Sequence, residues 1–310
     1  LLMKIAFCLF KYSPYSGLSL DFGRILEECL NRGHSAHIFV SAWRGERPKG
    51  VPFNLLRPRK FASTSNHSEN RRFYDKLKIE LDKTHFDVVV GFDKMPGLDV
   101  YYGADSCYLG RTVPQYPAIY KLTPRYKSRY SFEEAVFGLG SQTLILSLSE
   151  QQKSEYQEHY FTPDSRFHLL PPTLDASFSP ILDRAGKKEN LRLELELPVN
   201  DLLLMFIGSG FRTKGLDRAI TALASLPIDL KKCTGLIVVG DDDDEKQYRK
   251  QADRLSVSQQ ILFLGGRSRE DIPKLLGAGD LMIHPAHNEN TGTVLLEAIA
   301  AGLPVLATDV

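Results

Sequence analysis

The chain has 310 residues, about twice the length of a typical single domain, so its length predicts two domains. Hydrophobic residues make up 43% and charged residues 25%, a balance that fills two cores and excludes global disorder. The net charge of +1 argues against a general nucleic-acid-binding protein. The four cysteines form no CxxC motif, which excludes zinc ribbons and disulfide scaffolds and fits a reducing compartment.

The N-terminal half alternates between strand and helix patterns. Residues 4–10 form a nearly continuous apolar run, typical of a strand buried on both faces of a parallel sheet. Apolar residues then recur at helical spacing from Leu18 to Cys29, and Gly33 marks the end of this helix. Further strands are predicted at residues 36–40, 88–92 and 144–148.

The pattern is interrupted at Pro171 and Pro172, and a polar stretch runs on to about residue 200, so a linker is expected near residues 170–180. A second α/β series follows. Its predicted strands are residues 202–207, 236–239, 261–264, 281–284 and 305–307, and its predicted helices include residues 218–226 and 294–301.

These elements predict an α/β protein with two Rossmann-like, doubly wound domains, residues 1–172 and residues 173–310. In such proteins ligands bind at the carboxyl ends of the parallel strands, and we expect a ligand cleft there. The chain stops just after the apolar run 305–307, so we expect the second domain to be incomplete at its C-terminal end.

The segment 284–298 combines a strand end, a polar loop and a helix start. Two carboxylates, Glu289 and Glu297, stand eight positions apart, and Gly292 would let an anion approach the amides of the helix start. This arrangement suits a diphosphate whose sugar hydroxyls bind to the carboxylates. The plainer alternative is a loop charge at Glu289 and a solvated helix face at Glu297. Candidate helix caps are Asn290, Thr291 and Thr293.

The motif Glu289-x7-Glu297, followed by Gly-Leu-Pro-Val at 302–305, resembles the signature of the retaining GT-B glycosyltransferases of family 4. The glycine-containing segments 208–215 and 265–267 precede it at the intervals expected for that family. The blocks 6–12, 91–101 and 284–286 are similar to those of the lipopolysaccharide core glucosyltransferases, a resemblance that extends over nearly the whole chain.

This resemblance implies the transfer of glucose from UDP-glucose to a heptose of the lipopolysaccharide inner core, with retention at the anomeric carbon. It also implies no cofactor beyond the donor substrate, no catalytic metal, and a position on the cytoplasmic face of the inner membrane. The first domain would bind the acceptor and the second the nucleotide sugar.

The resemblance further assigns roles to residues of the second domain. Glu297 matches the glutamate that binds the ribose hydroxyls, and Glu289 matches the one beside the donor hexose. Lys214 matches one member of a basic pair that neutralises the diphosphate; Thr213 stands at the other position, with Arg212 one place earlier. The alternative for Lys214 is a solvated loop lysine. Further expected donor contacts are the backbone amides of Gly292, Thr293 and Val294, together with Thr291 and Arg267.

Charge considerations favour a lysine in this role. A helix N-terminus presents roughly half a positive charge, and near the surface it contributes only about 0.3–1 kcal/mol. The departing UDP gains a further negative charge, so one helix end is insufficient and Lys214 should supply much of the remaining stabilisation.

In the first domain, Ser16 and Gly17 open the N-terminal helix where the family has a glycine pair that closes on the phosphates. We therefore expect Gly17 to contact the donor and Asp21, one turn later, to lie at the active site. A simple helix start is the alternative. Asp99, after the strand 88–92, would orient or deprotonate the acceptor hydroxyl, or else serve as a structural turn aspartate.

Two charged segments have alternative interpretations. The four aspartates 241–244 are read as a helix start that favours the macrodipole rather than as a metal site, because four consecutive side chains cannot all face one ion. In residues 116–130, from Tyr116 to Tyr130, lysines and arginines alternate with tyrosines, a composition that suits contact with an anionic lipid surface. An ordinary basic face, an acceptor-phosphate site and RNA binding are the alternatives for this segment.

Two other functions compete with glucosyl transfer. One is a donor- or lipid-binding protein without turnover, which a missing C-terminal segment would favour. The other is a family 4 enzyme that transfers a different hexose or a heptose. A nicotinamide-binding Rossmann site is disfavoured because Thr213 occupies the third glycine position of the fingerprint that begins at Gly208.

Overall fold

The structure is a computed structural model that describes residues 1–14, 16–57, 65–172, 174, 177–180, 184–198, 202–289 and 291–309, with the side chains of residues 184–187 excepted. The chain divides into two units, Leu1–Pro171 and Pro172–Val310. Within the described residues, no helix is both long and apolar enough to span a bilayer.

The first unit contains a seven-stranded, entirely parallel sheet with the strand order β3-β2-β1-β4-β5-β6-β7. Its strands are β1 (Lys4–Tyr12), β2 (Ser35–Trp43), β3 (Phe53–Leu55), β4 (Val88–Gly91), β5 (Val100–Gly103), β6 (Leu144–Ser147) and β7 (Phe167–Leu169). Its helices are α1 (Gly17–Asn31), α2 (Asn66–Lys83), α3 (Pro124–Phe137) and α4 (Glu150–Tyr160). Single helical turns lie at Tyr108–Thr112, Val113–Gln115, Ala118–Leu122 and Asp164–Arg166.

Alternation along β1 explains why this sheet is covered on both faces. Ala6 and Cys8 pack into the core that contains Phe73 of α2, whereas Phe7 packs into a second core with Phe22 of α1. All of these side chains are almost fully buried. The continuous apolar run at residues 4–10 therefore reflects burial on both faces of the sheet.

The second unit contains a five-stranded parallel sheet with the order β10-β9-β8-β11-β12. Its strands are β8 (Leu202–Ile207), β9 (Thr234–Val239), β10 (Ile261–Gly265), β11 (Leu281–His284) and β12 (Val305–Ala307). Its helices are α5 (Arg184–Glu194), α6 (Phe211–Lys214), α7 (Leu216–Ala224), α8 (Ile228–Lys232), α9 (Glu245–Arg254), α10 (Ile272–Ala278) and α11 (Thr293–Ala300), and one further turn lies at Ser258–Gln260. Met205 and Phe206 of β8 point into different cores, so this sheet is also covered on both faces.

The strands predicted from apolar runs are present with shifts of a few residues, but three short strands were missed. β3 and β7 have three residues each, too few for a recognisable pattern, and β5 begins directly after a turn. The omission of β5 (Val100–Gly103) matters for the site, because it changes the edge of the sheet on which Asp99 lies.

Candidate active site

In the second unit the strand order reverses between β8 and β11, which are hydrogen-bonded neighbours. The connections that leave such a pair diverge to opposite faces of the sheet, which opens a crevice at the carboxyl ends of the strands where ligands bind in folds of this type. The chain after β8 forms the short helix α6, and the chain after β11 leads into α11. Residues from these two segments therefore define the candidate donor site.

Gly215 allows these two segments to approach each other closely. It has a φ of +78°, and a Cβ at this position would lie 2.0 Å from the carbonyl oxygen of Pro285. Next to this contact, the His287 amide donates to the Thr213 carbonyl over 2.8 Å. Arg218 Nη1 also donates to the Ala286 carbonyl over 3.1 Å. These contacts fix α6 and the start of α7 against the loop that carries Glu289.

Glu289 receives two contacts on the same oxygen. Lys214 Nζ lies 2.6 Å from Glu289 Oε2, and His284 Nε2 lies 2.7 Å from that atom. Burial raises the pKa of Glu289, but the hydrogen bond from His284 and the charge of Lys214 outweigh this effect and hold the pKa well below its usual range. The carboxylate is therefore ionised at neutral pH, and the alternative of a solvated Lys214 does not fit this ion pair.

Helix α11 begins directly after Gly292, which has a φ of +58°. Its N-cap residue is Gly292, which has no side chain to cap the first turn, and the hydroxyls of Thr291 and Thr293 lie 3.4 Å from each other. The N-cap residue is thus Gly292 and neither of the two threonines named as candidates, and Asn290 lies outside the described residues. The amides of Thr293 and Val294 occupy the first turn, where helix geometry provides them with no intrahelical acceptor.

Glu297, on α11, has only 3% of its surface exposed and pairs with Arg269. The Arg269 guanidinium also lies 4.3 Å from the centre of the Phe178 ring. Burial excludes the alternative of a solvated helix face at Glu297. Arg269 was not singled out from the sequence, because no pattern links a loop arginine to a residue 28 positions away.

The other basic candidates are more open to solvent. Arg212 lies on α6 and is exposed, and Arg267 is exposed on the segment that follows β10. Both positions follow strands of the parallel sheet at their carboxyl ends. Their proposed contact with the diphosphate stays a prediction.

In the first unit the strand order reverses between β1 and β4. Gly17 begins α1, is exposed, and has open space at the position that a Cβ would take. One turn later, Asp21 Oδ2 accepts a hydrogen bond from the Tyr102 hydroxyl over 2.8 Å. Neither residue is buried, and their roles stay predictions.

Asp99 is not at the carboxyl edge of the sheet, and the premise for its acceptor role is wrong. It directly precedes β5 (Val100–Gly103), and its Oδ2 accepts a 2.7 Å hydrogen bond from the Val89 amide near the start of β4. Because β4 and β5 are parallel, both atoms lie at the amino ends of these strands. The alternative of a structural turn aspartate fits this position.

Asp93 lies at the edge where Asp99 was expected. It follows β4, and its Oδ2 accepts a 2.6 Å hydrogen bond from the Phe10 amide near the carboxyl end of β1. Burial and the charge of Asp105 raise the pKa of Asp93 to about 7, although the Phe10 amide, Lys94 and Lys11 oppose this shift. The sequence contained a signal for Asp93, since it is a polar residue at the end of an apolar strand.

The aspartates 241–244 have a structural role at one position. Asp242 accepts hydrogen bonds of 2.8 Å from the Phe211 and Asp244 amides, which ties the loop before α9 to the start of α6. Over the part of the chain that the structure describes, no group of three or more His, Cys, Asp or Glu side chains is arranged to hold a metal ion.

The segment from Tyr116 to Tyr130 is an ordered surface. The Tyr116 and Tyr120 rings stack with centroids 4.2 Å apart, and the Tyr120 hydroxyl lies 2.8 Å from that of Tyr108. Two apolar side chains of this segment, Ile119 and Leu122, are 72% and 71% exposed. The segment thus combines exposed apolar groups with exposed bases.

A GT-B glycosyltransferase has two α/β units, each built on a parallel sheet. This chain has two such units, and in the second one basic and acidic side chains meet where the strand order reverses. Residues 187–310 match the family described as Glycosyl transferases group 1. The chain is 41% identical, over 99% of its own length and 81% of the relative's, to the lipopolysaccharide glucosyltransferase WaaG of Escherichia coli strain K12. The chain belongs to this glycosyltransferase family, as predicted.

Solved structures agree on the fold. The crystal structure of WaaG, a glycosyltransferase involved in lipopolysaccharide biosynthesis, matches with a TM-score of 0.91 at 40% identity and covers 99% of this chain and 81% of that one. The Anabaena protein HepE in complex with UDP-glucose matches with a TM-score of 0.68 at 19% identity, over 98% and 80% of the two chains. The predicted GT-B fold is confirmed.

Proposed function

We propose that this chain transfers glucose from UDP-glucose to a heptose of the lipopolysaccharide inner core, with retention of the anomeric configuration. The observation that carries the donor side is the meeting of Lys214, Glu289 and the start of α11 at the carboxyl ends of β8 and β11. The choice of glucose and of a lipopolysaccharide acceptor rests on the likeness to WaaG over 99% of the chain.

The donor would bind across these elements. The amides of Thr293 and Val294 and the ammonium of Lys214 supply positive potential for the diphosphate. Glu297 would accept hydrogen bonds from the ribose hydroxyls, with Arg269 fixing its carboxylate. Glu289 would lie beside the hexose, where its ionised oxygens would accept hydrogen bonds from the sugar hydroxyls. Arg212, Arg267 and Gly17 are further proposed donor contacts.

The proposed reaction needs no nucleophile from the protein. The bond between the anomeric carbon and the β-phosphate oxygen breaks, and the acceptor hydroxyl oxygen bonds to that carbon from the same face. Its proton passes to the departing phosphate oxygen, which leaves as UDP. Lys214 would stabilise the negative charge that develops on the leaving group, and such electrostatic contacts are commonly the largest contribution to catalysis.

Acceptor-dependent release of UDP tests this proposal. The chain is incubated with UDP-glucose, with and without a heptose-terminated core acceptor, and UDP is measured over time. Release that requires the acceptor supports glycosyl transfer, and a panel of UDP-hexoses then tests the choice of glucose. UDP binding that Glu297→Ala abolishes, without any transfer, would instead identify a donor-binding protein without turnover. An absence of UDP binding would remove the donor-site assignment.

We also propose that residues 116–130 lie on an anionic membrane surface, which would place the enzyme at the cytoplasmic face of the inner membrane. Ile119 and Leu122 are available for insertion at the headgroup boundary, and the bases beside them would pair with lipid phosphates. The exposed bases nearest to them are Lys121, Arg125 and Lys127.

Co-sedimentation with liposomes measures this contact. Vesicles that contain anionic lipid should retain the chain, while a variant with Lys121, Arg125, Lys127 and Arg129 changed to Glu should remain in the supernatant. A second variant with Ile119→Ser and Leu122→Ser separates the apolar contribution, which added salt does not screen. Equal sedimentation of all three proteins would contradict the proposal.

A further inference from the structure

His284, the last residue of β11, is a polar side chain in an almost fully buried position. Only 1% of its surface is exposed, and its Nε2 lies 2.7 Å from Glu289 Oε2. The other ring nitrogen, Nδ1, is buried and has no hydrogen-bond partner among the residues that the structure describes. One side of the ring is thus committed to Glu289, and the other side is unsatisfied.

The ionised state of Glu289 identifies the donor in this contact. A carboxylate can only accept, so the shared proton lies on His284 Nε2. The buried Nδ1 without a partner costs stability, whatever its own protonation. An apolar residue at the end of this strand would avoid that cost. The hydrogen bond from Nε2 to Glu289 is therefore the contact that favours histidine at this position, because packing alone does not require an imidazole.

The two partners of Glu289 differ in how they are held. His284 belongs to β11, a strand with a neighbour on each side, and its buried side chain has little freedom. Lys214 ends a helix of four residues, and its long side chain remains one quarter exposed. Under the proposed function, the Lys214 ammonium would turn toward the diphosphate when the donor binds, which removes its contact with Glu289 Oε2.

We propose that His284 is a positioning residue that holds the Glu289 carboxylate beside the donor hexose once Lys214 has turned to the diphosphate. This inference rests on the proposed function, because it concerns the same donor site. It concerns orientation: the imidazole neither touches the reacting atoms nor exchanges a proton in the reaction. Its effect should therefore appear in the turnover of UDP-glucose and not in the binding of UDP, which lacks the hexose.

Two substitutions separate the hydrogen bond from the packing. In His284→Gln the amide nitrogen can reach the place of Nε2 and donate to Glu289, whereas His284→Leu fills a similar volume without a donor. We expect His284→Leu to lower kcat by about 10- to 100-fold, the range for a lost hydrogen bond to a charged group. His284→Gln should recover most of that loss. Both variants should bind UDP with a Kd within about threefold of that of the unsubstituted chain, because UDP lacks the hexose that Glu289 would contact.

The control is His287→Leu, since His287 lies on the loop that carries Glu289, is exposed, and contacts Asp217 over 3.1 Å instead of Glu289. Its kcat should stay near that of the unsubstituted chain. If His284→Leu fails to fold, His284→Gln is compared with His284→Asn, whose shorter amide reaches only the place of Nδ1. The Asn variant should then lose turnover and the Gln variant should keep it.

An unchanged kcat in His284→Leu, or equal losses in the Gln and Asn variants, would overturn the positioning role. A parallel loss of UDP affinity and turnover would also overturn it, because that result indicates a general disturbance of the site. These outcomes differ from failure of the proposed function, in which the unsubstituted chain itself releases no UDP in response to the acceptor.

Discussion

Lys214 Nζ lies 2.6 Å from Glu289 Oε2, although 75 positions separate the two residues in the chain. Lys214 follows β8 and Glu289 follows β11, and these strands are neighbours at the strand-order reversal of the second sheet. The ion pair holds the lysine side chain in place at the carboxyl end of the sheet. In the proposed reaction, the Lys214 ammonium leaves Glu289 and contacts the diphosphate instead.

Replacing Lys214 by Met should lower kcat/KM for UDP-glucose by about 100- to 1000-fold, the range for loss of a charge-stabilising donor at a reaction centre. The measurement is steady-state UDP release with a saturating acceptor. Lys232→Met provides the control, because this lysine is exposed at the end of α8. Comparable activity in the two variants would show that Lys214 does not stabilise the leaving group.

Glu297→Gln should remove the preference for an intact ribose. The unsubstituted chain is expected to bind UDP about 10-fold or more tightly than 2′,3′-dideoxy-UDP, because the dideoxy ligand lacks the hydroxyls that would donate hydrogen bonds to the buried carboxylate. In the variant the two ligands should bind with affinities within about threefold of each other. Calorimetry measures both. Since Arg269 loses its partner in this variant, Arg269→Gln serves as the control for disturbance of the pair.

Gly215→Ala should destabilise the second unit by about 3 kcal/mol, because it combines a strained φ with an overpacked contact. The added Cβ would lie 2.0 Å from the Pro285 carbonyl oxygen. Gly210→Ala is a matched control, since Gly210 has a similar φ of +75° and nothing within 4 Å of its Cβ position. We expect it to cost only about 1 kcal/mol. Denaturant unfolding of both variants separates the cost of the backbone strain from that of the steric clash with Pro285. Equal losses in the free energy of unfolding would contradict the close approach at Gly215.

Gly17→Ala tests the donor contact in the first unit without disturbing its fold. Open space surrounds the Cβ position at the start of α1, so the free energy of unfolding should change by less than about 0.5 kcal/mol. If the Gly17 main chain contacts the diphosphate as proposed, the KM for UDP-glucose should rise about 10-fold. An unchanged KM would leave Gly17 as a helix start with no role in donor binding.

Asp93 should make stability fall as pH rises. Burial raises its pKa to about 7 from an ordinary value of 3.8, so between these values the folded chain binds more protons than the unfolded chain. Stability therefore decreases through this window. Asp93→Asn removes the titration, and its advantage over the unsubstituted chain should be about 1–2 kcal/mol larger at pH 8 than at pH 5, after allowance for partial exposure.

Urea unfolding at pH 5 and pH 8 measures this difference. Asp87→Asn is the matched control, because Asp87 accepts the Lys4 amide at the other end of β1, over 2.7 Å, from an exposed position. A difference between the two pH values that is the same for both variants would show that Asp93 is not the source of the pH dependence.

Much of the architecture followed from local pattern. The apolar run at residues 4–10 indicated a strand buried on both faces, and alternation of such runs with helical periodicity indicated two parallel α/β units. These features depend on side chains near one another in sequence, so composition and spacing carry them. Local pattern also made Glu289 and Glu297 candidates, because a strand end, a loop and a helix start are contiguous in the chain, but the family resemblance decided between their two interpretations.

The tertiary structure decided what each polar group contacts. It joined Lys214 to Glu289, buried Glu297 against Arg269, and left His284 Nδ1 unsatisfied, all of which depend on how distant segments of the chain meet in space. It also placed Asp99 at the amino edge of the first sheet, because the short strand β5 (Val100–Gly103) starts immediately after it. Asp93 lies at the carboxyl edge, because it follows the end of β4. Sequence spacing fixes the order of residues along the chain, whereas the pairing of distant strands sets their distances in space.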